Sequence, residues 1–276
     1  MPFTLSDLMP VPDETLRVPV NGITLHCERY GSGPPLLLIS GLGSDTGSWA
    51  FQLEDFRRHF GVIAFDNRGA GRSDKPTEPF SIATMAQDVA GLLDALGIEA
   101  AHVMGVSMGG LIAQEFALTY PQMLRRLVLV CTGFGGTDGV PPTPEVFQAL
   151  LLRDPDPAVN VRRAFRLFSN DAWVDAHPDL VEAYVAHRIA HQQPAYAYAH
   201  QAAAIAAFDA GERVHQIAAP TLVLHGTGDR VVVPQNGHLL AERIPNAVLM
   251  LFPGGGHIFF MEDPPPFNKA VLDFLR

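Results

Sequence analysis

The chain has 276 residues, 47% of them hydrophobic and 17% charged, which is enough to bury a large core and typical of one large α/β domain. Its formal net charge of -10, with no long run of lysine and arginine, argues against phosphate-backbone binding and excludes nucleic acid as a partner. The two cysteines, Cys27 and Cys131, lie far apart in apolar segments, which favours small buried side chains in a reducing compartment over a disulfide or a metal pair.

The beginning of the chain predicts no targeting segment and opens with a β-hairpin. Residues 1–8 have neither the basic start nor the unbroken apolar stretch of a signal peptide. No segment approaches the roughly 18 apolar residues that a membrane span needs, so we expect a cytoplasmic protein with no membrane partner. Residues 16–20 and 23–30 flank Asn21-Gly22, a dipeptide suited to the positive φ angles of a tight β-turn.

Short apolar runs then alternate with helical patterns along most of the chain. The clearest helix covers residues 82–96, where apolar residues recur at spacings of three and four and Gly97 ends the run. The apolar runs are rich in Val, Ile and Leu, as in strands covered on both faces: residues 35–40, 62–65, 101–106, 127–131, 221–225 and 248–252. This alternation predicts an α/β fold with a mostly parallel central sheet of about eight strands and helices on both faces.

The alternation is interrupted between residues 134 and 214, where the sequence holds no convincing buried strand. Helical patterns follow one another there, separated by Pro and Asp: residues 144–152, 158–168, 180–191 and 196–208. We therefore divide the chain into a core, residues 1–133 and 215–276, and an inserted helical cap, residues 134–214. Ligands of open α/β sheets bind beyond the carboxyl ends of the strands, so a cap that leaves from one such end is expected to cover the site.

A candidate nucleophile lies in the stretch Gly105-Val106-Ser107-Met108-Gly109, where the apolar run 101–106 gives way to a helical pattern. A serine on a sharp turn between a strand and a helix projects from the backbone. The turn strains the backbone of the serine, and a side chain two residues before or after it would collide with the neighbouring strand or helix. Glycine at both flanks meets that steric requirement and favours Ser107 as the nucleophile.

An acid and a base can be placed by the same rule. Asp229 follows the apolar run 221–225, and His257 lies in a glycine-rich stretch after the run 248–252. Serine needs a general base because its hydroxyl is barely ionised at neutral pH, and histidine has a suitable pKa; the acid holds the imidazole in one tautomer. The order serine, acid, histidine is the one that this architecture imposes. Asp138, after the run that precedes the cap, remains a weaker alternative for the acid.

Four motifs together resemble the α/β-hydrolase superfamily. They are the nucleophile stretch 105–110, the stretch 66–73 (DNRGAGRS), the stretch 226–229 (GTGD) and Gly256-His257. Within the superfamily, the pattern is similar to small bacterial carboxylesterases, 3-oxoadipate enol-lactonases and their aminoacrylate-hydrolase relatives. The resemblance implies the α/β-hydrolase fold, a Ser107–His257–Asp229 triad and a helical cap after the sixth strand.

The chain departs from many family members after the third strand, where Ser40-Gly41-Leu42-Gly43 stands in place of the common His-Gly. The physical requirement is a backbone N–H after Gly41, so we expect Leu42 to supply one oxyanion donor and Met108 the other. The missing histidine leaves this oxyanion hole intact. It argues against transferring the substrate class directly from members that have it.

These residues predict a serine hydrolase that cleaves small carboxylic esters through an acyl-enzyme, without a metal or an organic cofactor. Lactone, C–C bond or perhydrolytic chemistry with the same triad is the alternative, and a non-hydrolytic sensor of a small ligand is a third interpretation. The predicted apolar pocket consists of Trp49, Phe134, Phe165, Phe168, Trp173 and Ile258, of which the cap residues also suit plain core packing.

A dicarboxylate lactone would require a cation near the pocket. The available candidates are Arg72, Arg162, Arg163, Arg166 and Arg188. We expect Arg68 and Arg72 to brace the loop around them instead.

Overall fold

The N-terminal hairpin forms one edge of an eight-stranded sheet in the computed structural model. The structure describes residues 4–152 and 154–276, so residues 1–3 of the predicted core and residue 153 of the predicted cap lie outside the described residues. The strands are β1 (Glu14–Val20), β2 (Ile23–Tyr30), β3 (Pro35–Ile39), β4 (Gly61–Phe65), β5 (Ala101–Val106), β6 (Leu124–Val130), β7 (Thr221–Gly226) and β8 (Ala247–Phe252).

The sheet is parallel apart from its first two strands. Its order is β1-β2-β4-β3-β5-β6-β7-β8, with β1 antiparallel to β2 and β2 antiparallel to β4. Asn21 and Gly22 have φ angles of 43° and 78°, as the predicted tight turn between β1 and β2 requires. The other strands pair in parallel, which places the carboxyl ends of β3, β5, β6, β7 and β8 along one edge of the sheet.

Helices cover both faces of this sheet. The α-helices are α1 (Leu53–Phe56), α2 (Ile82–Ala95), α3 (Met108–Thr119), α4 (Pro144–Leu151), α5 (Pro157–Phe168), α6 (Asp171–Ala176), α7 (Pro178–Ala190), α8 (Ala195–Ala206), α9 (Gln235–Arg243), α10 (Phe259–Glu262) and α11 (Pro264–Leu275). None of the helices in the described part of the chain is long and apolar enough to cross a membrane.

Two hydrophobic layers form because successive side chains of a strand point to opposite faces. In β3, Leu37 and Ile39 pack with α2 and α3 on one face, whereas Leu36 and Leu38 pack with α1 and α11 on the other. Helix α2 begins at a capping box formed by Ser81 and ends before Gly97, which has a φ of 69°. Both faces of the central strands are therefore buried.

The last strand differs from the expectation of burial on both faces. Val248 and Met250 of β8 are 59% and 43% exposed. β8 is an edge strand beside β7, and within the described residues these two side chains remain exposed. Its apolar composition resembled that of a central strand because periodicity alone does not reveal which strand lies at the edge.

Helices α4–α8 follow one another between β6 and β7 and are called the inserted helices below. Backbone hydrogen bonds join the two ends of this segment, since Ala210 N donates to Phe134 O at 2.8 Å. Helix α6 is an addition to the predicted elements, because six residues are too few to show a helical period. The boundaries 134–214 of a separate cap domain stay a prediction.

Candidate active site

The backbone at Ser107 has the strained geometry of a projecting nucleophile. Ser107 joins β5 to α3 with a φ of 55° and a ψ of -118°, a region that residues with a side chain rarely adopt. A Cβ atom on Gly105 would lie 2.2 Å from the carbonyl oxygen of Gly109, and one on Gly109 would lie 2.1 Å from that of Ile39. The two flanking glycines are thus a steric condition of this turn, as the sequence predicted.

The structure brings the candidate acid and base into contact. His257 Nδ1 lies 2.7 Å from Asp229 Oδ2, and both side chains are buried. The other oxygen, Oδ1, accepts hydrogen bonds from the backbone N–H groups of Val231 and Val232 at 2.8 and 3.0 Å. The carboxylate is therefore held by its own loop, and it fixes one imidazole nitrogen of His257.

A second histidine, which the sequence analysis did not single out, also contacts Asp229. His225 Nε2 lies 2.7 Å from the carbonyl oxygen of Val232 and 3.3 Å from Asp229 Oδ2. Because both neighbours are acceptors, Nε2 carries a proton and serves as the donor. Burial alone raises the pKa of Asp229, but the charge of His257 and the hydrogen bonds from both histidines outweigh it and hold the pKa below its usual value. The acid is consequently ionised.

Ser107 lies at the same edge of the sheet as this pair. Its N–H donates to Val130 O at 2.9 Å, and its carbonyl accepts from Thr132 Oγ1 at 2.9 Å, so the turn is fastened to the end of β6. Within the described residues the Ser107 hydroxyl has no hydrogen-bond partner. Catalytic serine–histidine hydrogen bonds are often long before substrate binds. The hydroxyl is half-buried and open to a ligand.

The loop after β3, residues 40–45, lies against Ser107. A Cβ atom on Gly41 would be 3.4 Å from Ser107 Cβ and 3.9 Å from its Oγ. Ser44 N donates to Gly41 O at 3.1 Å, which closes a turn around Leu42. The N–H groups of Leu42 and Met108, the predicted oxyanion donors, have no acceptor in the part of the chain that the structure describes. Both are therefore available to a ligand atom.

Three of the predicted pocket residues lie around the loop that holds His257, residues 253–258. The rings of Phe168 and His257 have centroids 5.5 Å apart, and Phe168 O accepts from Ile258 N at 3.1 Å. The indole of Trp173 donates to Glu262 O at 3.0 Å. Trp173 and Glu262 also line a cleft of about 400 Å³, together with Gly254 and Gly255 of this loop.

The other three predicted pocket residues are deeply buried in the hydrophobic layers. Trp49 and Phe134 are fully buried, and Phe165 is 2% exposed. Trp49 and Phe165 belong to one layer, whereas Phe134 belongs to the opposite one and packs under the guanidinium of Arg243 at 4.5 Å. Their part in a substrate pocket stays a prediction.

One of the candidate arginines reaches the loop after β3. Arg188 Nη1, from α7, donates to the carbonyl oxygen of Gly43. The remaining candidates have partners elsewhere: Arg72 pairs with Glu28 and Asp66, Arg162 with Glu182, Arg166 with Asp175, and Arg163 donates to Leu152 O and Asn160. Arg68 forms a buried pair with Asp88.

Two groups of side chains have metal-ligand chemistry in the described part of the chain: Asp45 with His187 and His191, and Cys131 with His225 and Asp229. In the second group, Asp229 is already bound by His257. In the first, His187 Nε2 lies 2.9 and 3.0 Å from the two carboxylate oxygens of Asp45, which is the geometry of a direct hydrogen-bonded contact. The four-residue spacing of His187 and His191 is visible in the sequence, and it could have indicated that both side chains lie on one helix face near a shared partner.

The comparisons with known proteins agree with this architecture. A family model described as alpha/beta hydrolase fold matches residues 34–264. The chain is 35% identical over 251 residues to a putative carbamate hydrolase, RutD, of Azorhizobium caulinodans, covering 91% of this chain and 94% of that protein.

Two solved structures are also similar. The enol-lactonase of Burkholderia xenovorans LB400 superposes with a TM-score of 0.84 at 29% identity, covering 94% of this chain and 99% of that one. A thermophilic esterase from Thermogutta terrifontis superposes with a TM-score of 0.82 at 28% identity, covering 95% and 98%. What the two solved structures share with this chain is the fold.

Proposed function

Because the chain belongs to the α/β-hydrolase family and is a hydrolase, we propose that it acts as a serine hydrolase with Ser107 as nucleophile, His257 as general base and Asp229 as the orienting acid. The observation that carries the proposal is the 2.7 Å contact between His257 Nδ1 and Asp229 Oδ2 at the sheet edge where Ser107 projects. That contact leaves Nε2 as the nitrogen that can take the serine proton.

The proposed reaction is acyl transfer in two steps. Ser107 Oγ attacks the substrate carbonyl while its proton passes to His257 Nε2, and the N–H groups of Leu42 and Met108 stabilise the oxyanion that develops. The leaving group departs with the proton of His257, and water, activated by the same imidazole, then releases the acyl group. Each oxyanion donor contributes roughly 3 kcal/mol to lowering the barrier.

The proposed substrates are small-molecule carboxylic esters of modest size. Apolar side chains, Phe168 and Ile258, lie beside His257, and the similar thermophilic esterase shares the fold over nearly its whole length. A carbamate is the second candidate, because the 35% identical relative is named a putative carbamate hydrolase. Lactones are a further alternative, supported by the similar enol-lactonase. All three substrate classes present a carbonyl to the same nucleophile.

Turnover of a matched substrate panel tests the proposal. The panel holds p-nitrophenyl esters with acyl chains of two, four and eight carbons, a p-nitrophenyl N-alkylcarbamate and a simple lactone. Hydrolysis of the lactone is measured by the acid that it releases. We expect turnover by the wild type and a loss of about 10⁴-fold or more in Ser107→Ala. Ser32→Ala, which changes an exposed serine far from the site, is the control and should retain full turnover. A wild type inert on the whole panel would defeat the proposal.

A further inference from the structure

The inserted helices bind the loop after β3 through both peptide groups of Gly43. Gln201 Oε1, from α8, accepts from Gly43 N at 2.9 Å, and Arg188, from α7, donates to Gly43 O. Gly43 has a φ of 65°, and a Cβ atom there would lie 2.9 Å from Gln193 Oε1. The positive φ therefore favours glycine at this position, and the loop lies in close contact with the side chains of these helices.

Gln201 is a buried amide that is bonded at both ends. It is fully buried, and its Nε2 donates to Arg68 O at 2.8 Å while its Oε1 also accepts from Gln193 Nε2 at 3.1 Å. Arg68 is in turn held by two short hydrogen bonds to Asp88 of α2. The Gly43 N–H is thus connected to the folded core through a chain of satisfied hydrogen bonds, and losing Gln201 would leave buried polar groups unpaired.

A second contact fastens the end of the same loop. Asp45 is 3% exposed, and its carboxylate lies 2.9 and 3.0 Å from His187 Nε2 of α7. Burial raises the pKa of Asp45, but the hydrogen bond and charge of His187 outweigh this effect and lower the pKa to about 2. The carboxylate is therefore charged at neutral pH and attracts this helix to the loop.

The residue between these contacts and the nucleophile is Leu42. Its N–H lies in the turn closed by Ser44 N and Gly41 O, and Gly41 packs on Ser107. We propose that helices α7 and α8 set the position of the Leu42 oxyanion donor, with Gln201, Arg188 and His187 as positioning residues. This inference rests on the proposed function.

The expected consequence falls on the chemical step. An oxyanion donor binds charge that develops only in the transition state, so moving it lowers kcat and leaves KM nearly unchanged. A displacement of about 1 Å is enough to cost on the order of 100-fold in rate. Substrate affinity should follow the apolar pocket instead of this loop.

The test compares Gln201→Met with Tyr196→Phe. Gln201→Met keeps side-chain length but removes the three hydrogen bonds that the Gln201 amide makes with Gly43, Gln193 and Arg68. Tyr196→Phe removes one hydrogen bond, which the same helix donates to Lys75 O at 2.9 Å, away from the loop. We expect Gln201→Met to lower kcat by about 10- to 100-fold with KM within about twofold, and to weaken binding of an alkylboronic acid, which forms a tetrahedral adduct with serine, by the same factor. Hydrogen exchange at the Gly43 amide should accelerate. Tyr196→Phe should change none of these.

Arg188→Met provides a second variant if Gln201→Met fails to fold, because Arg188 is half-buried and its loss frees only the Gly43 carbonyl. It should shift kcat and boronic-acid affinity in the same direction. Unchanged kcat and unchanged boronic-acid affinity in the folded variants would overturn the inference. The inference would also be overturned if KM rose, and product binding weakened, by as large a factor as kcat fell. A wild type that neither turns over the panel nor binds the boronic acid would defeat the proposed function itself, while exchange at Gly43 would still report whether the helices order the loop.

Discussion

The Asp229 carboxylate is held on one oxygen by the N–H groups of Val231 and Val232 and on the other by His257. Asp229→Asn keeps the size of the side chain but presents an amide that favours the wrong imidazole tautomer. We expect kcat with a p-nitrophenyl ester to fall by about 10⁴-fold, with little change in fold.

Asp138→Asn is the matched comparison for this change. Asp138 is half-exposed and pairs with Arg243 Nη2 at 2.9 Å, a surface ion pair that contributes little to stability or to the site. Its kcat should stay within about twofold of the wild type. A larger loss in Asp138→Asn than in Asp229→Asn would reverse the assignment of the acid.

At the scale of residues, the positions that follow strand ends were predictable from the sequence, whereas contacts between residues distant in the chain were not. Asp229 and His257 each follow an apolar run, and the structure places them in direct contact. His225 lies inside a buried strand, where a histidine gives no sign of its partner. Asp45 and His187 are 142 residues apart, and no local pattern connects them.

The junction between β5 and α3 leaves no room for a side chain at its flanking glycines, and substitution of Gly109 tests this. In Gly109→Ala, the new Cβ would lie 2.1 Å from a backbone oxygen of β3, which cannot move without breaking the sheet. We expect the free energy of unfolding to fall by more than about 3 kcal/mol, because this is a steric clash in a packed core. Chemical denaturation followed by circular dichroism measures the change.

Gly91→Ala is the control within a helix. Gly91 lies in α2, and a Cβ there would meet Val20 at an ordinary contact distance of 3.4 Å. Alanine is the better helix former, so the variant should equal or exceed the wild type in stability by up to about 1 kcal/mol. Equal losses in Gly109→Ala and Gly91→Ala would contradict the steric account of the turn.

At the scale of elements, periodicity predicted the strands and the helices α2, α4, α5, α7 and α8 to within a few residues, whereas no bounds were predicted for α1, α9, α10 and α11. The helix expected at 82–96 spans Ile82–Ala95, because its apolar spacing and its final glycine act locally. The exposure of β8 and the presence of α6 were not predictable in this way. Strand order depends on contacts distant in sequence, and a six-residue helix contains fewer than two turns.

The stability of the whole molecule should depend on pH through His102 in β5. His102 is 7% exposed, and burial, reinforced by the charges of Arg125 and Arg126, lowers its pKa to about 4. The unfolded chain takes up a proton near pH 6.5, whereas the folded protein does not. Stability should therefore decrease as the pH falls from about 6.5 to 4, by up to about 1.4 kcal/mol per pH unit from this group.

Urea unfolding at pH 7.0, 6.0 and 5.0 measures this dependence above the range where carboxylates titrate. His102→Gln should flatten the decline, because glutamine takes up no proton in either state. His238→Gln, at an exposed position on α9, should leave the decline as in the wild type. If His102→Gln declines as steeply as the wild type, the dependence belongs to other groups.

The strained backbone at Ser107 has a consequence for the evolution of this protein. A residue with a side chain held at a φ of 55° carries a cost on the order of 1–3 kcal/mol, and glycine would relieve it. Under the proposed role of Ser107, selection for heat resistance alone would favour glycine at this position, whereas selection for turnover would retain the hydroxyl. Stability and catalysis would then place opposite demands on this one residue. The stability that the two hydrophobic layers of the sheet provide would allow the protein to keep the strained serine.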